Sequence, residues 1–394
     1  MTTKINNEHK KVYVPNLRFP EFQGEWEKCK LGDYGKVVTG NTPPTKDIEN
    51  YENGTYLWAS PADLGTIKSI TETKTMLSAQ GFSKTRTLPK GSVLVTCIGS
   101  TIGKAGMATK EMSTNQQINS IVVNDNNDNE FVYYAIQSAF PRYLSSIAVQ
   151  AVPIISKSAF ELLPNNRPYL QEQKKIGRFL SMLDERIATQ NKIIEDLKKL
   201  KCAIIEKVYS EIQGKKYSYG QLFDVINERN KQMEYSNILS ASQEKGMVNR
   251  DDLNLDIQFE RSNINTYKIV RKGDYVIHLR SFQGGFAFSD KLGVCSPAYT
   301  ILRPNSLLEY GYLSNYFTSQ RFIKSLVLVT YGIRDGRSIN VDEWLRMKIT
   351  IPPKEHQQYI VKVIGTFERK IEDEEAYAAQ LSIQKQYLLR QMFI

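Results

Sequence analysis

Two carboxylates and a lysine in the first fifth of the chain are of the residue types found in magnesium-dependent nucleases. Asp63 and Glu72 could hold a metal ion, and Lys74 could help to activate the attacking water. All three lie in polar sequence that is typical of loops, where such matches also arise by chance. One open hypothesis is therefore a nuclease, for which the purified chain would cleave DNA with magnesium and Asp63→Ala would abolish cleavage.

Other catalytic chemistry has little support in the sequence. His9, His278 and His356 are too scattered for a metal site or a catalytic triad. Residues 99–105 resemble a phosphate-binding loop, but the spacing of the glycines is one residue short, and Ala105 stands where a hydroxyl must contact magnesium. The four cysteines show no paired spacing, which is typical of free thiols in a cytosolic protein. We expect no metal and no cofactor in this chain.

Polar and basic side chains concentrate in the turns of two regions of mixed sequence. Arg and Lys contact guanine edges, Asn and Gln contact adenine edges, and lysines and hydroxyls bind phosphates. A net charge of +10 also favours a polyanionic partner, of which nucleic acid is the first candidate. The candidate DNA-binding residues are Asn41, Thr42, Lys46, Lys84, Arg86, Ser100, Thr101, Lys104, Asn115, Gln116, Gln243, Lys245, Arg250, Arg280, Gln283, Arg334 and Arg337.

The elements that carry these turns are short apolar runs separated by Gly, Pro, Asn and Asp, a pattern typical of strands and loops. In the first region we predict strands near 37–38, 56–58, 92–95 and 121–123 and a helix near 131–140. The second region repeats this plan loosely, since residues 90–95 correspond to 272–277. The loops between the matched runs differ, and loops are where recognition usually lies.

A duplication dominates the organisation of the chain: the segment 168–210 returns as 352–394. In each copy, apolar residues recur every three or four positions over more than four heptads, which predicts a long helix with a coiled-coil seam. The spacer positions on this seam are Ile176, Leu180, Leu183, Ile187, Ile194, Leu197 and Ile204, and then Ile360, Ile364, Phe367, Ile371, Leu381 and Leu388. Polar residues fill the gaps in the seam. A duplication this long implies two similar halves related by an approximate two-fold axis.

We therefore predict two similar globular domains of mixed helix and strand, which the two long helices would hold apart if they pack antiparallel. No apolar run approaches the roughly 20 residues of a membrane span, so we expect a cytoplasmic protein without a membrane partner. The predicted segments are a flexible lead at 1–20, a first domain at 21–167, a central helix at 168–212, a second domain at 213–351 and a C-terminal helix at 352–394.

Short motifs follow one another in a fixed order along both halves. They are Gly40-Asn41-Thr42-Pro43, Tyr56-Leu57-Trp58, Leu88-Pro89-Lys90-Gly91-Ser92, Ile102-Gly103-Lys104, Asn115-Gln116, Glu172-Gln173 with Ile176, Leu183-Asp184 with Ile187, Gly293-Val294-Cys295-Ser296-Pro297-Ala298-Tyr299 and Tyr331-Gly332-Ile333-Arg334. In this order, the set resembles the specificity subunit of a type I restriction-modification enzyme over nearly the whole chain. In the second long helix, His356 replaces the family's glutamate and Glu368 its aspartate.

The resemblance implies a function, partners and cofactors. The implied fold is α+β, with two similar target-recognition domains separated by two long antiparallel, coiled-coil-like helices. Each domain would bind one half of a split, asymmetric site in double-stranded DNA, and the helices would set the gap. The helices would also dock two methylation subunits, which carry the S-adenosylmethionine chemistry. Up to two restriction subunits, with ATP and magnesium, would complete an endonuclease for defence against foreign DNA. The chain itself would be the non-catalytic targeting subunit of a DNA adenine methyltransferase.

A third hypothesis is an assembly scaffold with no direct role in DNA binding. It predicts that the polar loops can be shortened without any change in DNA specificity. The target sequence, the gap length and the division of the loop residues between bases and phosphates do not follow from the sequence, because recognition also depends on loop geometry and DNA shape.

Overall fold

The computed structural model describes residues 13–65, 67–146, 153–242, 245–252, 261–278, 285–331 and 338–394. Five of the candidate DNA-binding residues lie outside these ranges: Gln243, Arg280, Gln283, Arg334 and Arg337. The chain packs into two compact units. Unit 1 consists of Met1–Asn191 and Ala376–Ile394, and unit 2 consists of Lys192–Glu375.

Unit 1 is a mixture of short strands and helices. Its strands are β1 (Glu27–Lys30), β2 (Gly35–Thr39), β3 (Tyr56–Ala59), β4 (Ser69–Ile70), β5 (Met76–Leu77), β6 (Thr87–Leu88), β7 (Val93–Thr96), β8 (Ala105–Ala108), β9 (Met112–Thr114), β10 (Ile118–Val123) and β11 (Pro164–Arg167). Its helices are α1 (Ala79–Ser83), α2 (Asn129–Ser146), α3 (Lys157–Glu161) and the first part of α4 (Leu170–Glu211).

The main sheet of unit 1 has the strand order β2-β10-β7-β8-β4, and a smaller sheet has the order β5-β3-β9-β6. Strand β7 is apolar at successive positions because both of its faces are buried. Val93 and Val95 pack with α2 residues such as Phe131, whereas Leu94 packs on the other face with Leu57. The predicted strands and helix of the first region coincide with β2, β3, β7, β10 and α2.

Unit 2 is likewise a mixture of short strands and helices. Its strands are β12 (Lys215–Ser218), β13 (Phe223–Ile226), β14 (Leu239–Ser242), β15 (Gly246–Asn249), β16 (Lys268–Val270), β17 (Tyr275–Ile277), β18 (Phe286–Phe288), β19 (Gly293–Cys295), β20 (Thr300–Pro304), β21 (Thr330–Tyr331), β22 (Ser338–Ile339) and β23 (Lys348–Ile351). Its helices are the rest of α4, α5 (Gln320–Ser325), α6 (Val341–Arg346) and the first part of α7 (Lys354–Met392).

The two main sheets share the order of four strands, to which unit 1 adds β4, and this shared order confirms the duplicated plan. The order β13-β20-β17-β18 in unit 2 corresponds to β2-β10-β7-β8 in unit 1, and the pair β12-β23 corresponds to β1-β11. The turns before the central strands also match. Gly91 and Gly273 both have a positive φ, 84° and 93°, a conformation that favours glycine.

Helices α4 and α7 are 42 and 39 residues long and begin shortly after Pro168 and Pro353. Every spacer position predicted from the heptad pattern is buried or half-buried. In unit 1, Lys385 Nζ lies 2.6 Å from Asp184 Oδ1, and in unit 2 Lys201 Nζ lies 3.3 Å from Glu368 Oε1. The duplication relates these two pairs, and in each unit the two helix segments run antiparallel. None of the helices in the described ranges has the length and hydropathy of a membrane span.

Candidate nucleic-acid interface

The turn after β2 is held tightly against the end of β9. A side chain at Gly40 would overlap the main-chain oxygens of Thr114 and Asn115, so only glycine fits there. The amide of Asn41 donates to Thr114 O at 2.9 Å, and Trp58 Nε1 donates to Asn41 O at 3.1 Å. The motif that begins at Gly40 therefore establishes the position of this loop.

The side chain of Asn41 is directed to the main chain of a second loop. Its Nδ2 donates to Lys84 O at 2.9 Å, and its Oδ1 accepts from Arg86 N at 2.8 Å. A bidentate contact with adenine would need this same donor and acceptor pair. Asn41 thus holds the turn that carries Lys84 and Arg86, and the Arg86 guanidinium donates to Thr39 O at 2.8 Å.

The turn between β9 and β10 brings a third loop beside the first. Asn115 is buried, and its amide accepts from Gln117 N at 3.0 Å and donates to Gln117 Oε1 at 3.1 Å. The hydroxyl of Thr42 donates to Gln116 Oε1, which links this turn to the turn after β2. Gln116 is exposed.

The remaining candidates of unit 1 differ in exposure. Lys46, Ser100 and Lys104 are exposed and Thr101 is half-buried. Lys84 Nζ donates to Asn50 Oδ1 at 2.8 Å, so part of its hydrogen-bonding capacity is used within the protein. The exposed charges among these candidates are those of Lys46, Lys84, Arg86 and Lys104.

The turn at 99–104 does not have the arrangement of a phosphate-binding loop. The amides of Ile102, Gly103 and Lys104 donate to Gly99 O, Thr96 O and Thr101 O, at 3.0 to 3.3 Å. A phosphate-binding loop keeps such amides available for the ligand. This turn uses them to close on itself.

In unit 2, two of the candidates lie within the described ranges. Lys245 is exposed in the turn between β14 and β15, and its amide donates to Ser242 Oγ at 3.3 Å. Arg250 is half-buried after β15, and its amide donates to Ile238 O at 2.9 Å. Lys245 thus lies in the turn of the hairpin β14-β15, and Arg250 directly follows its second strand.

Asp63 has a structural role that accounts for its presence. Its Oδ2 accepts from the amide and the hydroxyl of Ser60, at 2.8 and 2.7 Å, and its Oδ1 accepts from Lys74 N at 2.9 Å. Ser60 and Asp63 have the spacing of a capping box, a local signal that the sequence contains. Glu72 and the Lys74 side chain are exposed. The described part of the chain contains no cluster of three or more His, Cys, Asp or Glu arranged for a metal. This geometry weakens the nuclease hypothesis.

The sequence motifs did not reveal what two buried glutamines do at the starts of the long helices. Gln173 donates to Pro168 O at 2.9 Å and accepts from Asp128 N at 3.0 Å. Gln357, its counterpart in the duplication, donates to Pro352 O at 3.0 Å and accepts from Glu309 N at 2.8 Å. Each glutamine fastens the first turn of a long helix to the globule of its own unit.

The position before each glutamine differs between the units. Glu172 is 2% exposed and accepts from Arg18 Nε and Nη2, at 2.8 and 2.7 Å, and from Trp26 Nε1 at 3.3 Å. This bidentate pair ties the N-terminal segment of unit 1 to α4. His356 occupies the corresponding position in unit 2 and is exposed.

Comparisons with known proteins agree with this architecture. A family model described as "Type I restriction modification DNA specificity domain" matches residues 23–199 and 214–382. The MjaIX specificity subunit of a type I restriction enzyme from Methanocaldococcus jannaschii is 28% identical over 195 residues, which cover 48% of this chain and 45% of that protein. The HindI specificity subunit from Haemophilus influenzae is 29% identical over 185 residues, 44% of this chain and 39% of that protein. The chain thus spans less than half the length of these curated relatives.

A solved structure, the S subunit of a type I restriction-modification system from M. genitalium, covers 97% of this chain and 99% of its own. The TM-score is 0.58 at 16% sequence identity, which is a likeness of fold.

Proposed function

This chain belongs to the family of type I restriction modification DNA specificity domains, and we propose that it is the DNA-recognition subunit of such a system. The observation that carries the proposal is a duplicated scaffold with divergent loops. The four-strand order of the main sheets and the Gln173 and Gln357 contacts recur in both units. The loops between the matched strands differ in sequence. Each unit then recognises a different sequence, and the target is bipartite and asymmetric.

The DNA-binding surface of unit 1 is formed by the loops that Asn41 and Thr42 hold together. In this proposal, Lys46, Ser100 and Lys104 bind phosphates, and exposed Gln116 contacts a base edge. Lys84 and Arg86 lie on the turn that Asn41 positions. In unit 2 the proposal assigns DNA contacts to Lys245 and Arg250, and the candidates outside the described ranges stay predictions from the sequence.

The long helices bind the partner subunits in this proposal. Each unit exposes large apolar side chains on its helix segments, Phe179 and Met182 in unit 1 and Leu200 and Tyr359 in unit 2, which supports protein docking there. Two methylation subunits supply the S-adenosylmethionine chemistry, and restriction subunits, where present, supply ATP-dependent cleavage. The chain itself acts on DNA in the cytoplasm as a targeting subunit without catalytic groups.

A replacement of one globule tests the proposal. Residues 26–164 are exchanged for the corresponding segment of another family member, and methylated adenines are mapped across the host genome. We expect one half of the methylated site to change and the other half and the gap to stay the same. A change in both halves would contradict the assignment of one half-site to each unit. An unchanged site would favour a scaffold without a DNA-binding role.

A further inference from the structure

A lysine from the globule of unit 1 is buried against a helix of the same unit. Lys68 directly precedes β4, and its main-chain oxygen accepts from Met107 N at 2.7 Å, which holds it against β8. Its side chain is 11% exposed, and Nζ donates to Glu130 Oε2 and Ser181 Oγ, both at 2.8 Å. Glu130 belongs to α2 and Ser181 to α4. Lys68 therefore connects the sheet, the covering helix and the long helix.

Tyr134 continues the connection to both long helices. Its hydroxyl donates to Asp184 Oδ2 at 2.6 Å, and Asp184 Oδ1 lies 2.6 Å from Lys385 Nζ on α7. Lys68 and Lys385 both lie against the Tyr134 ring, 5.6 and 5.5 Å from its centre. Burial, together with the charge of Asp184, raises the pKa of Tyr134, so the hydroxyl stays protonated as a donor. We name the following residues the Tyr134 hub: Lys68, Glu130, Tyr134, Ser181, Asp184 and Lys385.

A glycine brings α4 close to the start of α2 beside this hub. A Cβ at Gly177 would lie 2.5 Å from Asp128 Oδ1 and 2.9 Å from Phe131 N, closer than side-chain carbons approach such atoms. The corresponding residue of the duplication in α7 is Val361. The close contact that surrounds the hub is therefore specific to unit 1.

Unit 2 keeps only part of the arrangement. Lys201 and Glu368 correspond to Lys385 and Asp184 and lie 3.3 Å apart, but Glu368 is 41% exposed and Asp184 16%. Within the described ranges, no tyrosine hydroxyl donates to Glu368. Both units thus have the ion pair between the helices, and in unit 1 the Tyr134 hydroxyl also connects this pair to the globule.

We propose that the Tyr134 hub is a positioning device that sets the orientation of the first recognition domain on its helices and thereby restricts the gap between the half-sites. This inference rests on the proposed function. Apolar packing also holds the globule, but apolar contacts have no directional preference and tolerate small rotations. Charge-assisted hydrogen bonds are short and directional, and the hub directs them from the sheet and α2 to both long helices. A rotation at this attachment displaces the loops around Asn41 along the DNA.

The test compares Tyr134→Phe and Lys68→Met with the wild-type chain, each expressed from its own locus in the host. The matched control is Tyr133→Phe, because the Tyr133 hydroxyl accepts from Gln137 Nε2 at 2.8 Å, a bond within α2. Methylated adenines are mapped genome-wide and sorted by half-site sequence and by gap length. We expect the sequences of both half-sites to stay unchanged. Methylation at sites whose gap differs by one base pair should increase about tenfold, because the loss of one charge-assisted hydrogen bond changes an equilibrium by about that factor. The control keeps the wild-type gap.

The possible outcomes separate the inference from the function it depends on. The inference is overturned if the variants keep the wild-type gap preference. It is also overturned if the sequence of the first half-site changes, because the hub would then shape the recognition surface rather than the orientation of the domain. If the wild type methylates no bipartite site, the proposed function fails and the inference fails with it. Should Lys68→Met reduce the amount of folded protein, Ser181→Ala removes a single hydroxyl contact and is judged by the same two criteria.

Discussion

Unit 1 and unit 2 have the same scaffold but differ in how the globule is attached to the helices. Both use a buried glutamine at the start of a long helix and an ion pair between the helices. Unit 1 adds the Arg18–Glu172 pair and the Tyr134 hub, and the described part of unit 2 has exposed His356 and half-exposed Glu368 at the corresponding positions. The glutamine contacts, which satisfy main-chain groups, and the ion pair between the helices persist after duplication. The side-chain contacts around Glu172 and Tyr134 are those in which the two units differ.

The charged groups at these positions are more buried in unit 1 than in unit 2, so their substitution should lower the free energy of unfolding by more in unit 1. A buried charge that loses its partner remains desolvated, at a cost of about 3–5 kcal/mol. An exposed pair contributes about 0–1 kcal/mol because water and salt screen it. Substitutions at matched positions of the two units therefore test the comparison directly.

The largest effect is expected at the helix starts. Glu172→Ala leaves the Arg18 guanidinium without its buried partner and should lower the stability of unit 1 by about 3 kcal/mol. His356→Ala, at the matched exposed position, should change stability by less than about 0.5 kcal/mol. Urea unfolding and hydrogen exchange of the Leu17 amide, which donates to Gln391 O, measure the loss. Equal effects at the two positions would contradict the difference in attachment.

An intermediate effect is expected at the two lysines between the helices. Lys385→Met removes the partner of largely buried Asp184 and should cost about 2–3 kcal/mol, reduced from the fully buried value because the Tyr134 hydroxyl remains as a donor. Lys201→Met removes the partner of half-exposed Glu368 and should cost about 1 kcal/mol or less. Urea unfolding of both variants at low and high salt gives the comparison. A larger loss for Lys201→Met would show that exposure does not determine the strength of these pairs.

The smallest effect concerns the cysteines. Burial raises the pKa of Cys29 to about 11 and that of Cys97 and Cys295 to about 12, so their thiols remain protonated at pH 8. Cys202 is exposed on α4. A thiol reagent at pH 8 should modify Cys202 alone in the folded protein, with little change in stability, as mass spectrometry of peptides can determine. Rapid modification of Cys97 or Cys295 would indicate that a core opens.

Several elements could be predicted from the sequence because their signals are local. The apolar runs at 37–38, 56–58, 92–95 and 121–123 became strands, since a short run bounded by turn residues can be buried in few other ways. The candidate site was less predictable. Asn41 and Asp63 have the residue types of a base-contacting and a metal-binding group, but the same oxygens satisfy main-chain amides equally well.

The structural role of Asp63 could have been recognised from Ser60 three residues earlier, because a capping box is a local pattern. The structural role of Asn41 could not, because the main-chain groups that its side chain contacts lie more than forty residues away. The hub residues had no signal of this kind either. Lys68 and Tyr134 read as ordinary members of a loop and a helix until the fold brings them to Ser181 and Asp184.

By itself, the amino-acid sequence determined the duplication, the two long helices and the buried positions along them, because helical burial repeats every three or four residues and a single chain displays that period. Only the tertiary structure decided that unit 1 combines the start of α4 with the end of α7, and that its globule is attached to both through Tyr134 and Asp184. Those contacts join residues far apart in the chain. Their geometry depends on the packing of every element between them.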